Sequence, residues 1–444
     1  MILRVLLTTW AWPSHLFPMV PLGWALQAAG HEVRVAVGPG LTDAVSRAGL
    51  CPVTVRDDAD LVGMSTAPAL NSWHHQQRWT SDWYDRPELL SPAQREMYTA
   101  LGHKQTAMAA AMVDGVLDFA REWRPDLVVH DAVTFAGLVA GAVLGVPTAA
   151  TLWGNIAIPR HQRDPLTGEL AADFTALFER FGVAPKPEPD LWIDPCPPRM
   201  GLPSPEPRLT TRFVPYNGPG GCPDWLRVPA GRRRVCVTWG ITTGRIQADG
   251  DTGIFDQVAE AVSGLDAEVV FALSAAQRDR LGAATADVRV VEALPLHLLL
   301  PSCAAVVHQG GGGTTMTAVW SGTPQLIVSP RPEQMMTGDR LERLGAARHL
   351  LRSELTADPA AGTKALRGAL LDLLDDAAYA RGAAELRDEQ RAQPSPADHV
   401  RRLEELAASG GSGGPGRAGS RPPSPARREN APSPATSTSA RGLG

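Results

Sequence analysis

The feature that most restricts this chain is an alternation that occurs in both its halves. A short apolar run is followed by a segment with apolar residues at helical spacing, then by another apolar run. Such alternation selects an α/β fold with parallel strands, because parallel neighbours need a crossover connection of about a dozen residues. Leu3 to Thr8 is apolar without alternation, as a strand covered on both faces is. Leu22, Ala25, Leu26 and Ala29 then recur at helical spacing, and Gly30 stands where a C-cap glycine belongs. "HEVRVAVG" opens the next strand, which completes one βαβ unit. "RPDLVVHDAVTF", "AGLVAGAVLGVP" and "TAATLW" repeat the pattern. The proline-dense stretch Pro187 to Arg208 reads as a linker, after which "RRRVCVTWG" begins the alternation again and carries it to "TPQLIVSP".

The expected division is an N-terminal α/β domain over residues 1–205, a linker over 206–230 and a second α/β domain over 231–390. A C-terminal helix over 391–408 and a disordered Gly/Pro/Ser-rich tail over 409–444 follow. Asn71 to Ala111, rich in Trp, His, Gln and Arg, reads as an irregular loop and then a helix inserted near a ligand site. Nucleotide-dependent enzymes often work in the cleft between two such domains.

Bulk composition excludes several classes. Net charge is −5 with no basic face, so nucleic acid is not an expected partner. The five cysteines are scattered, with neither zinc spacing nor a disulfide framework, which fits a reducing cytoplasm. The apolar N-terminus is short and contains Arg4, so it reads as a buried strand and not a signal peptide. No uncharged apolar run reaches the roughly 18 residues of a membrane span.

The chemistry concentrates at "HQGGGGTT", His308 to Thr315. A strand, a glycine-rich turn and a helix in succession form a phosphate cradle. Glycine lets the backbone approach the ligand, and the helix start offers unpaired N–H groups and a positive dipole end. Gly310, Gly311, Gly312, Gly313 and Thr314 are the candidate phosphate residues, and His308 is expected to donate to phosphate oxygens as well. The competing reading is a tight turn around a buried, hydrogen-bonded histidine. The turn is neither GxGxxG after the first strand nor a Walker motif, and no lysine follows it, so dinucleotide and ATP readings lose ground.

These residues resemble the family-one glycosyltransferases of GT-B fold, which use nucleotide sugars. The family's motif H-x-G-G-x-G-T, helix, G-x-P, apolar strand, acidic residue and Gln stands here as His308, Gly310, Gly311, Gly313, Thr314, Gly322-Thr323-Pro324, "QLIVSP" and Glu333-Gln334. The family more often has His at position 309 and Asp at 333. "SHLFPMVPLGWALQAAGHEVRVA", "RFVPYNGPGGCPDWL" and "VVEALPLHLLLP" look like bacterial enzymes that decorate macrolides and anthracyclines with deoxysugars. The resemblance covers roughly residues 1 to 400. It implies two Rossmann-like domains facing each other across a cleft and metal-independent, inverting transfer from a dTDP- or UDP-sugar, with no cofactor, to an apolar aglycone. A cytochrome-like auxiliary activator and a homodimer are left open.

A hydroxyl nucleophile needs a general base within hydrogen-bond reach. His15 follows the first strand, on the rim where open parallel sheets bind ligands. Position alone leaves an ordinary loop histidine open, whereas the resemblance makes His15 the base. Asp131 follows the strand "DLVVH" on the same rim. It is expected either to fix the His15 tautomer, as the resemblance implies, or to cap a helix. Gly240, Thr242 and Thr243 face the same cleft. By analogy, Leu294 lies against the nucleotide base, while Glu333 and Gln334 hold sugar hydroxyls. No acidic DxD-like pair suggests a metal. Trp10, Trp12, Phe17, Trp73, Trp79 and Trp83 are expected to line the acceptor side, although some tryptophans belong to core. Three competing readings are an NDP-sugar epimerase, a non-catalytic sugar-nucleotide-binding helper and a nicotinamide dehydrogenase. The Trp-rich N-terminal half, the presence of both His15 and Asp131, and the lack of glycine in the first turn weigh against them respectively.

Overall fold

The computed structural model describes residues 1–10, 12–56, 59–80, 82–154, 156–240, 252–278 and 288–410. Two parallel sheets organise them. The first holds β1 (Arg4–Thr8), β2 (Glu32–Val37), β3 (Pro52–Thr54), β4 (Leu127–Asp131), β5 (Thr148–Thr151), β6 (Leu191–Asp194) and β7 (Arg208–Thr210), in the order β3-β2-β1-β4-β5-β6-β7. The second holds β8 (Arg234–Val237), β9 (Glu268–Leu273), β10 (Arg289–Glu292), β11 (Ala305–His308), β12 (Gln325–Ser329) and β13 (Ala347–Leu351), in the order β10-β9-β8-β11-β12-β13. Every adjacent strand pair is parallel. In each sheet the strand order turns back once, between β1 and β4 and between β8 and β11. Outside the carboxyl ends of such a pair is where an open α/β sheet leaves a crevice.

Strand sequences follow from this layering. β1 reads RVLLT and β4 LVVHD, buried almost throughout because helices cover both faces. The first sheet is covered on one side by Val20–Ala28 and on the other by the long helix Pro92–Trp123 with Phe135–Leu144. Pro92–Trp123 starts at a capping box, in which Ser91 and Gln94 satisfy each other's backbone N–H, and ends at Arg124 in the left-handed region. It is the helix expected at the end of the Asn71–Ala111 insertion.

Two boundaries differ from the sequence reading. The proline-dense stretch Pro187–Arg208 is not only linker, since it contains β6 and opens β7, and β7 extends the first sheet beyond residue 205. β7 is an edge strand, and edges tolerate flanking proline because they lose no ladder bond on the open side. The last helix runs Val400–Gly410, so Ser409 and Gly410, expected in the tail, are helical; residues 411–444 lie outside the described residues. That helix returns to the first domain. Val400, Leu403 and Ala407 pack with Leu3, Leu26 and Leu127, and the Glu404 carboxylate lies 3.3 Å from His31 Nε2. No helix among the described residues is long and apolar enough to cross a membrane.

Candidate active site

A cavity of about 700 Å³ lies between the two domains, where both switch points meet. On the first-domain wall, β1 ends at Thr8 and the chain runs through Trp10 and Trp12 into the short helix Pro13–Leu16, which carries His15. β4 ends at Asp131, next to β1 in the sheet. The two side chains meet, with His15 Nδ1 3.1 Å from Asp131 Oδ1. Asp131 is buried, and Thr9 and Thr134 donate hydroxyl hydrogen bonds to its other oxygen. The Val133 N–H donates to Oδ1. Burial alone would raise the Asp131 carboxyl. The His15 charge beside it, with the hydrogen bonds from His15, Thr134 and Thr9, outweighs burial and holds it below its ordinary value. An ionised carboxylate at Nδ1 keeps the ring proton there and leaves Nε2 as the acceptor. Asp131 is not a helix cap: Phe135–Leu144 has Thr134 at that position.

His15 lines the cavity between two tryptophans, its ring 4.9 Å from Trp10 and 4.6 Å from Trp153. Trp12, Phe17, Trp73 and Trp83 also line it. Trp79 does not. It stands behind them, edge-on to Trp73 and Trp83, with its indole N–H donating to Gln76.

The opposite wall is the turn after β11. Gly310 has φ +88, a backbone state that L side chains rarely adopt, and a side chain there would also press on Ile327 and Gln334. Gly312 answers a different demand. A Cβ on it would come within 2.7 Å of both the Trp153 ring and the Trp153 carbonyl, so the two domains touch through its missing side chain. Gly313 has nothing within 4 Å and borders the cavity. Helix Gly312–Ser321 starts here, and its first N–H groups have no intrahelical partners. Gly240, Leu294, Gly311, Thr314, Glu333 and Gln334 line the same cavity; Thr242 and Thr243 lie outside the described residues. Burial raises the Glu333 carboxyl, and Arg331, 4.0 Å away, partly offsets this. Glu333 Oε2 and Gln334 Oε1 have no hydrogen-bond partner. Ala293, beside Leu294, holds φ 49, a strained state for a residue with a Cβ.

His308 departs from the expected phosphate donor. It is fully buried and does not line the cavity. Its Nδ1 accepts the Gly310 N–H at 3.0 Å, which puts the proton on Nε2, and Nε2 donates to Gln325 Oε1 at 3.0 Å. Burial brings it down to about 4, so it is neutral. Both nitrogens are committed to holding the glycine turn.

Some lining residues escaped the sequence reading. Trp153 stands two residues past the end of β5, and the strand-end rule that selected Asp131 would have found it. Lys104, His161 and Arg331 also border the cavity. Asn217, in the segment joining the domains, bonds Thr317 and the His297 backbone N–H.

Two parallel-sheet domains closing on a shared cleft, with the strand-order reversals of both turned toward it, define a glycosyltransferase of GT-B fold. The chain belongs to the family described as erythromycin biosynthesis protein CIII-like, whose N-terminal domain matches residues 24–240 and whose C-terminal domain matches 256–406. It is 38% identical over 430 residues to the TDP-daunosamine transferase DnrS of Streptomyces peucetius, covering 91% of this chain and 97% of that protein. It is 36% identical over 427 residues to the 3-alpha-mycarosylerythronolide B desosaminyl transferase of Saccharopolyspora erythraea, covering 91% and 99%. Among solved structures, the glycosyltransferase VinC in complex with dTDP superposes with a TM-score of 0.73 at 33% identity, covering 91% of this chain and all of VinC.

Proposed function

We propose that this chain moves a deoxysugar from a dTDP-linked donor to a hydroxyl of a polyketide-type aglycone, with inversion at the anomeric carbon. One observation carries the reading: a His15–Asp131 pair and a glycine-turn helix start face each other across one cavity. His15 Nε2 takes the proton of the acceptor hydroxyl as its oxygen bonds the anomeric carbon, and Asp131 stabilises the imidazolium that forms. The bond from that carbon to the diphosphate breaks on the opposite face, which inverts the centre. Charge developing on the departing dTDP is met by the N–H groups at the start of Gly312–Ser321 and by the dipole of that helix. This arrangement asks for no metal. Glu333 and Gln334, each with an unsatisfied oxygen, accept hydrogen bonds from the sugar. The tryptophan-lined side holds the aglycone. The dTDP and deoxysugar preferences rest on the substrates for which the relatives are named and on the nucleotide bound by VinC.

The test supplies dTDP-deoxysugars and UDP-glucose with polyketide aglycones in the presence of EDTA, with products read by mass spectrometry and proton NMR. A glycoside of opposite anomeric configuration to the donor, formed despite EDTA and faster from dTDP donors, is expected. Retention of configuration, or donor turnover without acceptor, contradicts the reading.

A further inference from the structure

The aromatic side of the cavity contains one group that the transfer mechanism leaves unused. Lys104 projects from the helix Pro92–Trp123 into the cavity. Its ammonium lies 5.5 Å from the centre of the Trp10 ring, and Trp10 in turn packs edge-on against His15. Trp10 therefore separates Lys104 from the base. No carboxylate among the described residues pairs with Lys104. The charge bearing on it is that of another cation, Arg331. Burial, with Arg331 adding to it, lowers Lys104 to about 8. Burial and the Lys104 charge lower His161 to about 4, so His161 is neutral and shares its Nδ1 with Gln105. The carboxylates that line the cavity among the described residues, Glu333 and Glu292, both belong to the second domain, and they face Arg331 and Arg278 respectively.

A desolvated ammonium without a counter-ion costs stability unless a ligand supplies the opposite charge. A neutral macrolactone offers Lys104 only ketone and hydroxyl dipoles. A hydroxyquinone or similar polyphenol offers an acidic oxygen that ionises readily beside a cation, on a flat ring that suits the surrounding tryptophans and tyrosines. We propose that Lys104 is a specificity-determining residue that selects an aromatic acceptor by binding an ionised phenolic oxygen next to the hydroxyl presented to His15. This rests on the reading of the cavity's aromatic side as the acceptor site.

The test uses 1,2-dihydroxyanthraquinone and its dimethyl ether as probes, with dTDP-loaded protein and binding read directly by tryptophan fluorescence, so that it does not depend on turnover. The parent is expected to bind the phenol more tightly than the ether. Lys104→Met should weaken phenol binding about tenfold, equivalent to about 1.4 kcal/mol, and change ether binding less than about twofold. Lys104→Arg should keep most of the phenol preference, and dTDP affinity should be the same in all three proteins. Equal binding of the two probes by the parent, or equal weakening of both in Lys104→Met, overturns the proposal. A fall in dTDP affinity would assign Lys104 to the donor and overturn it as well. Glycosyl transfer to hydroxyanthraquinone acceptors with an unchanged KM in Lys104→Met would leave the transferase reading standing and remove this one. Absence of transfer to any acceptor would instead strike the transferase reading.

Discussion

Asp131 is the more heavily hydrogen-bonded member of the pair: His15, two threonine hydroxyls and a backbone N–H meet its two oxygens. Replacing it by Asn removes the charge that stabilises a His15 imidazolium and frees the wrong tautomer. Asp131→Asn should lower kcat by about 10²–10⁴ with little change in donor affinity, measured by steady-state kinetics and calorimetry. The same variant has a signature in acid. Asp131 is held below the ordinary carboxylate value of about 3.9. Its charge therefore contributes stability that is fully present above that value and is lost as pH falls through the lower, folded-state value. Thermal unfolding as a function of pH should fall less steeply below about pH 4 in the variant than in the parent. His15 and Asp131 were legible in the sequence because one lies in the turn after the first strand and the other closes the strand "LVVHD", and strand ends define the rim. His308 was legible as a residue but not in its role. Its burial and tautomer depend on Gln325, in the neighbouring strand, and on the fold of the turn itself. Lys104 was not legible, because nothing local tells which face of a long helix will overhang a cleft.

At the level of elements, the four glycines do different things, and the difference is measurable. Gly312→Ala puts a methyl against the backbone carbonyl of Trp153, which cannot step aside as a side-chain tip can. Overpacking of this kind costs roughly 1–3 kcal/mol. Gly313→Ala meets nothing within 4 Å and lies in the first turn of a helix, where Ala is preferred over Gly. Differential scanning calorimetry should show a lowered Tm for Gly312→Ala and an unchanged or raised Tm for Gly313→Ala. Equal effects would mean that the domains do not meet at this turn. The sequence pointed to the turn through its composition, but which glycine faces the other domain is a fact of domain apposition. β6 and β7 were hidden for another reason: they are four and three residues long, and prolines crowd their flanks. Periodicity has too little to work with at that length.

At the scale of the molecule, the chain folds two similar domains and then returns to the first. Leu403, on the last helix, is fully buried in the core built around β1 and β4. Leu403→Ala should cost about 2–4 kcal/mol in urea unfolding, and the loss should appear in the transition of the first domain although the residue lies near the other end of the chain. A change within about 0.5 kcal/mol would show that the helix is not docked there. The doubled alternation made the two-domain architecture readable from the outset, whereas the return of the last helix has no local signature. In the proposed mechanism this architecture separates the work of the cleft: base and acceptor wall on the first domain, donor turn on the second. The His15→Ala variant tests that separation most directly, with dTDP binding followed by calorimetry and transfer by mass spectrometry on the same preparations. The account predicts unchanged dTDP affinity and a transfer rate lower by about 10²–10⁴. A variant that keeps most of its transfer activity would contradict it, and so would one that loses its grip on dTDP.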